Sequence, residues 1–380
     1  INTREALLKF HSDYYSANIM KLAIVGREPL DVLEKWAREK FSTIRNTKRS
    51  VPQCACRWSL TQKVFRVVPV KDLRDLSFIW QMPSTYALYK SKPTHVLAHL
   101  MGHEGKGSIL SLLKDKGWGN ALSAGPIHSQ TSFSMFGVNI ELTPEGLLHV
   151  DDIVEIIYQY VALMQSADDA TWSWICKEVA DVSAMNFRFK SKEEPMMYSR
   201  ALCGQLQNYA GEDVLAGPYL YERVDIPLIK KFISFLTPEN MRIHIVSQSF
   251  EEKCDKEEPW YGTKYYEEPL SPSLIKLVKP SPNSGIALPS RNEFIATDFE
   301  IRATKHPDKM SLDHAILIGD MEGFKCWFKQ DNVFAKPKVN VLIRLETPAA
   351  YSRFSKFPLL ASARTSVLTS LFTKLCEDAL

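Results

Sequence analysis

Hydrophobic positions along this chain follow strand-like runs in some stretches and helix-like spacing in others. Short apolar runs predict strands over residues 21–26, 64–69, 77–82, 120–126 and 132–142. Apolar residues three and four positions apart predict helices over residues 29–41, 94–103, 108–115, 145–166, 169–188, 195–208 and 226–236. Runs of strands beside runs of helices indicate the α+β class, with helices packed on one face of a mainly antiparallel sheet.

Two pairs of segments resemble each other across the chain. Residues 18–26 align with 239–247, where each copy has a methionine, a basic residue and then an apolar run. Residues 65–83 align with 327–348, where each copy has two apolar runs that flank a polar break and end at a proline. The spacing of the copies predicts repeated homologous domains of roughly two hundred residues.

The repeats and a proline-rich stretch at 266–303 together predict four parts. Residues 1–48 are expected to be the end of a first domain, with a polar stretch at 45–57 after it. Residues 49–279 are expected to form a second domain, 280–303 an interdomain linker, and 304–380 the beginning of a third domain.

Charge and composition exclude several classes of protein. The formal net charge is +3, from 47 basic and 44 acidic residues, which gives no electrostatic footprint for nucleic acid. No apolar run reaches the roughly 18–20 residues that a membrane span needs. The chain starts with Ile and shows no leader, as expected of a fragment or a mature product. Its seven widely spaced cysteines predict reduced thiols and an intracellular location, either the cytoplasm or a mitochondrion.

The most unusual local feature is a row of three histidines at helical spacing. His95, His99 and His103 are four residues apart and would lie near one face of a helix, with Glu104 next to the last. This row fits a polar helix face, a zinc site or one wall of a ligand pocket. The zinc interpretation is disfavoured, because the chain contains neither His-Glu-x-x-His nor His-x-x-Glu-His.

A glycine-rich turn and a short strand follow these histidines. Residues 102–108 resemble no phosphate-binding loop, because Lys106 is followed by glycine instead of Ser or Thr. If the strand at 120–126 is an edge strand, it could pair with an extended peptide while Glu104 captures the amino terminus of that peptide. An internal strand that binds nothing is the alternative. No Ser-His-Asp or Cys-His catalytic set can be assigned.

Several motifs resemble those of the pitrilysin family, the inverted-motif zinc metallopeptidases that include insulin-degrading enzyme. The matching segments occur in the family order from end to end, at residues 7–18, 26–28, 70–72, 102–108, 116–118, 142–149, 187–190, 260–263, 292–294 and 327–331. The resemblance implies four homologous domains that form two halves around a chamber in which short peptides are cleaved. It also implies that the zinc ligands and the general base belong to the first domain, before Ile1.

The resemblance further implies that the second domain carries an exosite, where the amino terminus of the substrate is anchored away from the zinc. Matched by motif, its substrate-binding residues here are His95, His99, Gly102, Glu104, Leu122, Ala124 and Pro126. Two of these depart from the family, because relatives usually have glycine at Ala124 and a polar amide at Pro126. Both departures predict altered or weakened anchoring of peptides.

We therefore interpret the chain as the central segment of a zinc metalloendopeptidase like insulin-degrading enzyme. The segment is expected to anchor peptide substrates, to hold no catalytic residue or metal ligand of its own, and to be inactive alone. Its expected partners are peptides, the remaining domains of the same polypeptide and a second copy in a homo-oligomer, with no nucleic acid and no membrane span. Two alternatives remain, a non-catalytic structural relative of the same fold and an independent metal site on the histidine helix.

Overall fold

The computed structural model describes residues 2–51, 62–271, 285–301, 314–329, 336–344 and 363–379. These residues form two compact units, Ile1–Ile295 and Ala296–Leu380. Parts of the predicted polar stretch at 45–57 and of the proline-rich stretch at 266–303 lie outside the described residues. The predicted boundaries of the domains stay predictions.

A mixed sheet forms the centre of the first unit. Seven of the described strands take the order β3-β4-β2-β5-β1-β7-β6. Neighbouring strands are antiparallel except for β1 and β5, which are parallel. The strands are β1 (Lys63–Val67), β2 (Asp75–Met82), β3 (Gly119–Ser129), β4 (Ser134–Leu142), β5 (Met241–Val246), β6 (Lys256–Glu257) and β7 (Lys264–Pro269). This mainly antiparallel sheet confirms the predicted fold class.

Helices cover one face of that sheet. The helices of the first unit are α1 (Thr3–Tyr14), α2 (Leu30–Phe41), α3 (Pro93–Met101), α4 (Ile109–Asp115), α5 (Val150–Ser166), α6 (Asp169–Arg188), α7 (Pro195–Asn208) and α8 (Ile226–Ile233). Side-chain oxygens cap the start of five of them, where an N-cap residue accepts a hydrogen bond from a backbone N–H of the first turn, namely Asn2, Ser108, Asp168, Glu194 and Asp225. No helix among the described residues is long and apolar enough to cross a bilayer.

Alternation along the strands decides which face the helices cover. In β2 every second side chain is buried, and β4 and β5 continue this apolar face. The core residues of β2 are Leu76, Phe78, Trp80 and Met82. Helices α3, α5, α6 and α8 pack their apolar residues onto this face and against one another. Hydrophobic burial on a single side of the sheet therefore holds the unit together.

The strand predicted at residues 21–26 is wrong. These residues form no ladder, and Leu22, Ile24 and Val25 stay exposed. A strand needs a neighbour to satisfy its backbone groups, and the described residues supply none here. Side chains of α7 approach this stretch instead, since the Cys203 thiol donates to the carbonyl of Lys21 at 3.9 Å. The segment aligned with it, residues 239–247, does contain a strand, β5.

The second unit contains one hairpin and one helix among its described residues. The strands β8 (Ile316–Met321) and β9 (Phe324–Phe328) pair antiparallel around Gly323, whose φ is +77°. The helix α9 spans Ala363–Ala379.

Tyr160 on α5 ties this scaffold to the end of α3. Its hydroxyl donates to the carbonyl of Leu100 at 3.0 Å, and burial raises the pKa of Tyr160 above the ordinary 10.0, so the phenol remains a donor. We expect Tyr160→Phe to lower the free energy of unfolding by about 1 kcal/mol, because a buried hydrogen bond is lost. Urea denaturation followed by tryptophan fluorescence measures this, with the exposed Tyr261 changed to Phe as the control. Equal stability of the two variants would contradict the expectation.

Candidate peptide-binding site

The histidines of the candidate site are positioned by the packing of α3. Its buried face consists of Val96, Leu97, Leu100 and Met101. The opposite side therefore presents His95, which is exposed, and His99, which is half-buried. Pro93 stands at the first helical position, where its missing N–H costs no hydrogen bond. The predicted helix is confirmed, but it ends at Met101.

The turn after α3 takes His103 off the helix, although the centre of its ring stays 6.3 Å from that of His99. Gly102 caps the helix, and the Nδ1 atom of His103 accepts a hydrogen bond from the backbone N–H of Gly105 at 3.0 Å. Gly107 has φ +85°, which favours glycine, whereas the structure gives Gly105 no positive φ. The prediction that all three histidines lie on one helix is therefore wrong, because the helix ends at Met101, before His103.

The strand β3 is an edge strand, because it stands at one end of the order of the described strands. It extends past the predicted end at residue 126 to Ser129, with irregular register between Pro126 and His128. Proline has no N–H to donate to a neighbouring strand. The pairing of β3 with β4 therefore stays intact at Pro126 only if the backbone nitrogen of this residue faces away from β4. Backbone direction alternates along a strand, so Leu122 and Ala124 also direct their N–H and C=O groups to the open edge.

Helix α3 and strand β3 meet at two small residues. A Cβ built on Gly102 would lie 3.6 Å from the backbone nitrogen of Ala124 and 3.7 Å from its Cβ. This closeness agrees with an Ala124 N–H that faces away from β4. The structure thus brings α3, which carries His95 and His99, beside β3, which carries Leu122, Ala124 and Pro126, while Glu104 is exposed on the turn. Their role in binding stays a prediction.

Both histidines on α3 favour the neutral form. Surrounding protein atoms partly desolvate the His95 ring although the residue keeps an exposed surface, and this desolvation, followed by the nearby Lys92, lowers the pKa of His95 below 6.5. Burial also lowers the pKa of His99, although Glu178 on α6 opposes the shift from 3.5 Å away. At neutral pH these rings offer hydrogen bonds and no positive charge. The exposed carboxylate of Glu104 has no ion-pair partner among the residues described, so it gives this side of the site a negative charge.

Lys92 fixes the start of α3, a role that the sequence did not reveal. Its side chain is buried and donates to the carbonyls of Gly217 at 2.9 Å and Leu220 at 2.6 Å. The ammonium group also lies 4.7 Å from the centre of the Tyr221 ring. Burial lowers the pKa of Lys92 to about 8. The first turn of α3 is thereby attached to the loop that precedes α8.

The described residues do not fit a metal ion. In those parts of the chain, no three His, Cys, Asp or Glu side chains come together in an arrangement that could hold one. His103 lies beyond the helix, so the histidine row offers no tetrahedral set.

Comparison with known proteins identifies the family. Residues 2–171 match the model described as the peptidase M16 inactive domain, and residues 187–380 match the middle or third domain of peptidase M16. The chain belongs to the M16 family of peptidases. The resemblance to the pitrilysin family is therefore confirmed.

Individual M16 relatives support this at the level of sequence and fold. The chain is 40% identical to human insulin-degrading enzyme over 355 residues, which is 92% of this chain and 34% of the relative. It is 36% identical to the nardilysin-like protein of Arabidopsis thaliana, over 100% of this chain and 37% of that protein. The crystal structure of pitrilysin matches with a TM-score of 0.76 at 24% identity, over 87% of this chain and 35% of that one. The chain thus spans about a third of the length of these relatives.

Sequence reasoning missed Glu178, which lies beside the site. It is buried on α6, where it follows Trp172, Ile175 and Cys176 on the buried side of the helix. The signal in the sequence was a charged residue at the helical spacing of the buried apolar residues. An acidic side chain in such a position is rarely buried without partners. What the sequence could not supply was the identity of those partners, His99 and Asn292.

We predict that the pKa values of two histidines in this unit are shifted in opposite directions from 6.5. The pKa of His99 should lie below 6.5, whereas that of His149 should lie above 6.5, because Asp152 and Glu145 accept hydrogen bonds from its ring. A depressed pKa means that the unfolded chain binds the proton more readily, so His99 opposes folding below pH 6.5. His149 stabilises the fold below pH 6.5, and this contribution is lost as the pH rises through its folded pKa.

Nuclear magnetic resonance of the histidine Cε1 protons measures both midpoints. His99→Gln and His149→Gln variants assign the two signals. Two midpoints at the same pH would contradict the description of the two environments.

Proposed function

We propose that this chain is the substrate-anchoring segment of an M16 zinc metalloendopeptidase that degrades peptides. The observation that carries the proposal is the position of β3, an edge strand whose Ala124 meets Gly102, two residues before Glu104. In this proposal the chain binds the amino-terminal part of a peptide. Cleavage takes place elsewhere in the full-length protein, by zinc chemistry to which this chain contributes no catalytic residue.

The open edge of β3 supplies a backbone template for an extended peptide. The N–H and C=O groups of Leu122 and Ala124 that point away from β4 can pair with a peptide strand, as in β-augmentation. Each such hydrogen bond contributes on the order of 1 kcal/mol. The Leu122 side chain is buried in the core, so only its backbone is available to a ligand. Pairing through the backbone accepts many peptide sequences, which suits an enzyme that degrades varied peptides.

The carboxylate of Glu104 supports the capture of a free amino terminus. It is exposed on the turn that links α3 to α4, two residues after Gly102, which meets Ala124 of the edge strand. The neutral imidazoles of His95 and His99 add hydrogen-bonding groups without repelling an ammonium ion. An ammonium group that reaches Glu104 therefore gains a charge-assisted hydrogen bond, which is stronger than a neutral one.

Two residues of the edge strand, Ala124 and Pro126, restrict this site. With glycine and a polar residue in their places, the site would be wider and would have more hydrogen-bond donors. The Cβ of Ala124 occupies the space next to Gly102, where a peptide backbone would approach. Pro126 removes one N–H from the open edge. We expect these two residues to limit peptide affinity without abolishing the pairing.

The competing hypothesis is a non-catalytic structural protein of the same family. The coding sequence before Ile1 separates the two, because an intact His-x-x-Glu-His motif supports the peptidase. Absence of the motif supports the structural role.

We predict that Glu104→Gln in the full-length protein weakens the binding of peptides with a free amino terminus by about tenfold at low salt. The reason is the loss of one exposed charge-assisted contact, which salt would screen. Acetylated peptides should bind both forms equally. Isothermal titration calorimetry with a matched pair of free and acetylated peptides measures the effect.

Asp115→Asn is the charge-matched control for this experiment. Asp115 is exposed at the end of α4, so its substitution changes the net charge equally without altering the turn. Equal losses for the free and acetylated peptides would refute capture of the amino terminus.

We predict that Ala124→Gly raises peptide affinity by about threefold or more, because a peptide backbone can then approach the edge more closely. The control is Ala121→Gly, a substitution on the same strand whose residue is exposed and whose backbone faces β4 by alternation. Fluorescence anisotropy of a labelled peptide compares the two variants. Unchanged affinity in Ala124→Gly, or an equal rise in both variants, would count against the steric role of the methyl group.

A further inference from the structure

The segment 285–292, which leads toward the second unit, packs against the elements of the candidate site. The backbone N–H of Ala287 donates to the carbonyl of Gly107 at 2.8 Å. Ile286 and Leu288 pack against the core, and the Arg291 guanidinium lies 5.7 Å from the centre of the Trp174 ring on α6. The segment is therefore attached both to the turn that carries Glu104 and to α6.

The carboxylate of Glu178 connects this segment to a histidine of the site. One oxygen, Oε1, lies 3.5 Å from Nε2 of His99, and the other, Oε2, accepts a hydrogen bond from the backbone N–H of Asn292 at 2.9 Å. The Glu178 side chain is only 10% exposed, whereas that of His99 is 32% exposed. A buried carboxylate needs such partners, because its charge is costly to remove from water.

The three residues come from parts of the chain that are far apart in sequence. His99 is on α3, Glu178 is on α6, and Asn292 lies only a few residues before the second unit begins at Ala296. Asn292 is itself held in a turn, because its side-chain oxygen accepts the N–H of Phe294 at 2.9 Å. Displacement of either partner of the carboxylate thus changes the constraint on the other.

We infer that Glu178 is a positioning residue, which orients the His99 ring of the candidate site and links it to the segment that leads into the second unit. A ligand that draws His99 toward itself also changes the hold of Glu178 on Asn292. By thermodynamic reciprocity, a rearrangement of the segment changes the affinity of the site. Where the inference concerns peptides, it rests on the proposed function.

A purely structural role for Glu178 makes a different prediction. In that case the carboxylate only fastens the segment, and the state of His99 is irrelevant to Asn292. Two titratable neighbours act on His99, namely Glu178 from α6 and His103 from the turn after α3. A test must therefore read out His99 and the segment separately.

The experiment compares three variants of the full-length protein by hydrogen–deuterium exchange. Glu178→Ala removes both contacts, Glu178→Gln keeps an oxygen acceptor but no charge, and Asp181→Asn is the control. Asp181 lies on the same helix, where it pairs with Lys177 on the surface. We expect the Asn292 amide to exchange about tenfold faster in Glu178→Ala, and close to the wild-type rate in the other two variants.

The titration of His99 gives the second readout. We expect its pKa to fall further below 6.5 in both Glu178 variants and to stay unchanged in Asp181→Asn, because only the Glu178 charge stabilises the imidazolium. A peptide with a free amino terminus gives the third readout. It should slow exchange over residues 285–292 by about threefold or more in the wild type, and by much less in Glu178→Ala.

The outcomes separate this inference from the proposed function. If no peptide binds the wild type, the proposed function fails, while altered His99 titration and faster Asn292 exchange in Glu178→Ala still support the positioning role. If peptide binds but exchange at residues 285–292 responds equally in wild type and Glu178→Ala, the inference is overturned. It is also overturned if Glu178→Ala leaves both the His99 pKa and the Asn292 exchange rate unchanged.

Discussion

The burial of one face of α3 against the sheet and its neighbouring helices is the constraint on which the candidate site depends. Leu97 and Leu100 are fully buried in the core, so the rotation of the helix about its axis is fixed. That rotation leaves His95 and His99 on the opposite side and brings Gly102 against Ala124. Lys92 at one end of α3 and Tyr160 near the other hold it in place by hydrogen bonds to backbone carbonyls. The positions of His95 and His99 therefore depend on the packing of other residues of α3.

An edge strand is exposed to unwanted pairing, and in our proposal β3 uses this exposure to pair with a peptide. Its register with β4 is irregular at both ends, between Gly119 and Ala121 and between Pro126 and His128. Pro126 removes a donor from the edge, and α3 lies close beside it. The usable template is thus limited to a short stretch around Leu122 and Ala124. A short template of this kind suits the reversible pairing that we propose for peptides.

The Glu178 side chain joins the candidate site to the segment 285–292. In our inference, this link lets a change in one affect the other. Glu178 contacts His99 with one oxygen and Asn292 with the other, while Gly107 holds Ala287. Both contacts of Glu178 are polar, so one substitution of this residue removes them without deleting an apolar side chain from the core.

Hydrophobic periodicity by itself determined most of the helices and strands of the first unit, because burial on one face imposes spacings of two or about 3.6 residues. The motif at 102–108 and its companions also determined the family. Periodicity failed at residues 21–26, since an apolar run becomes a strand only when a neighbouring strand satisfies its backbone. It failed again at His103, where helical spacing continues past the Gly102 cap. Only the tertiary structure decided that β3 is an edge and that Glu178 meets both His99 and Asn292, because such contacts join segments whose separation in the sequence carries no information about their distance in space.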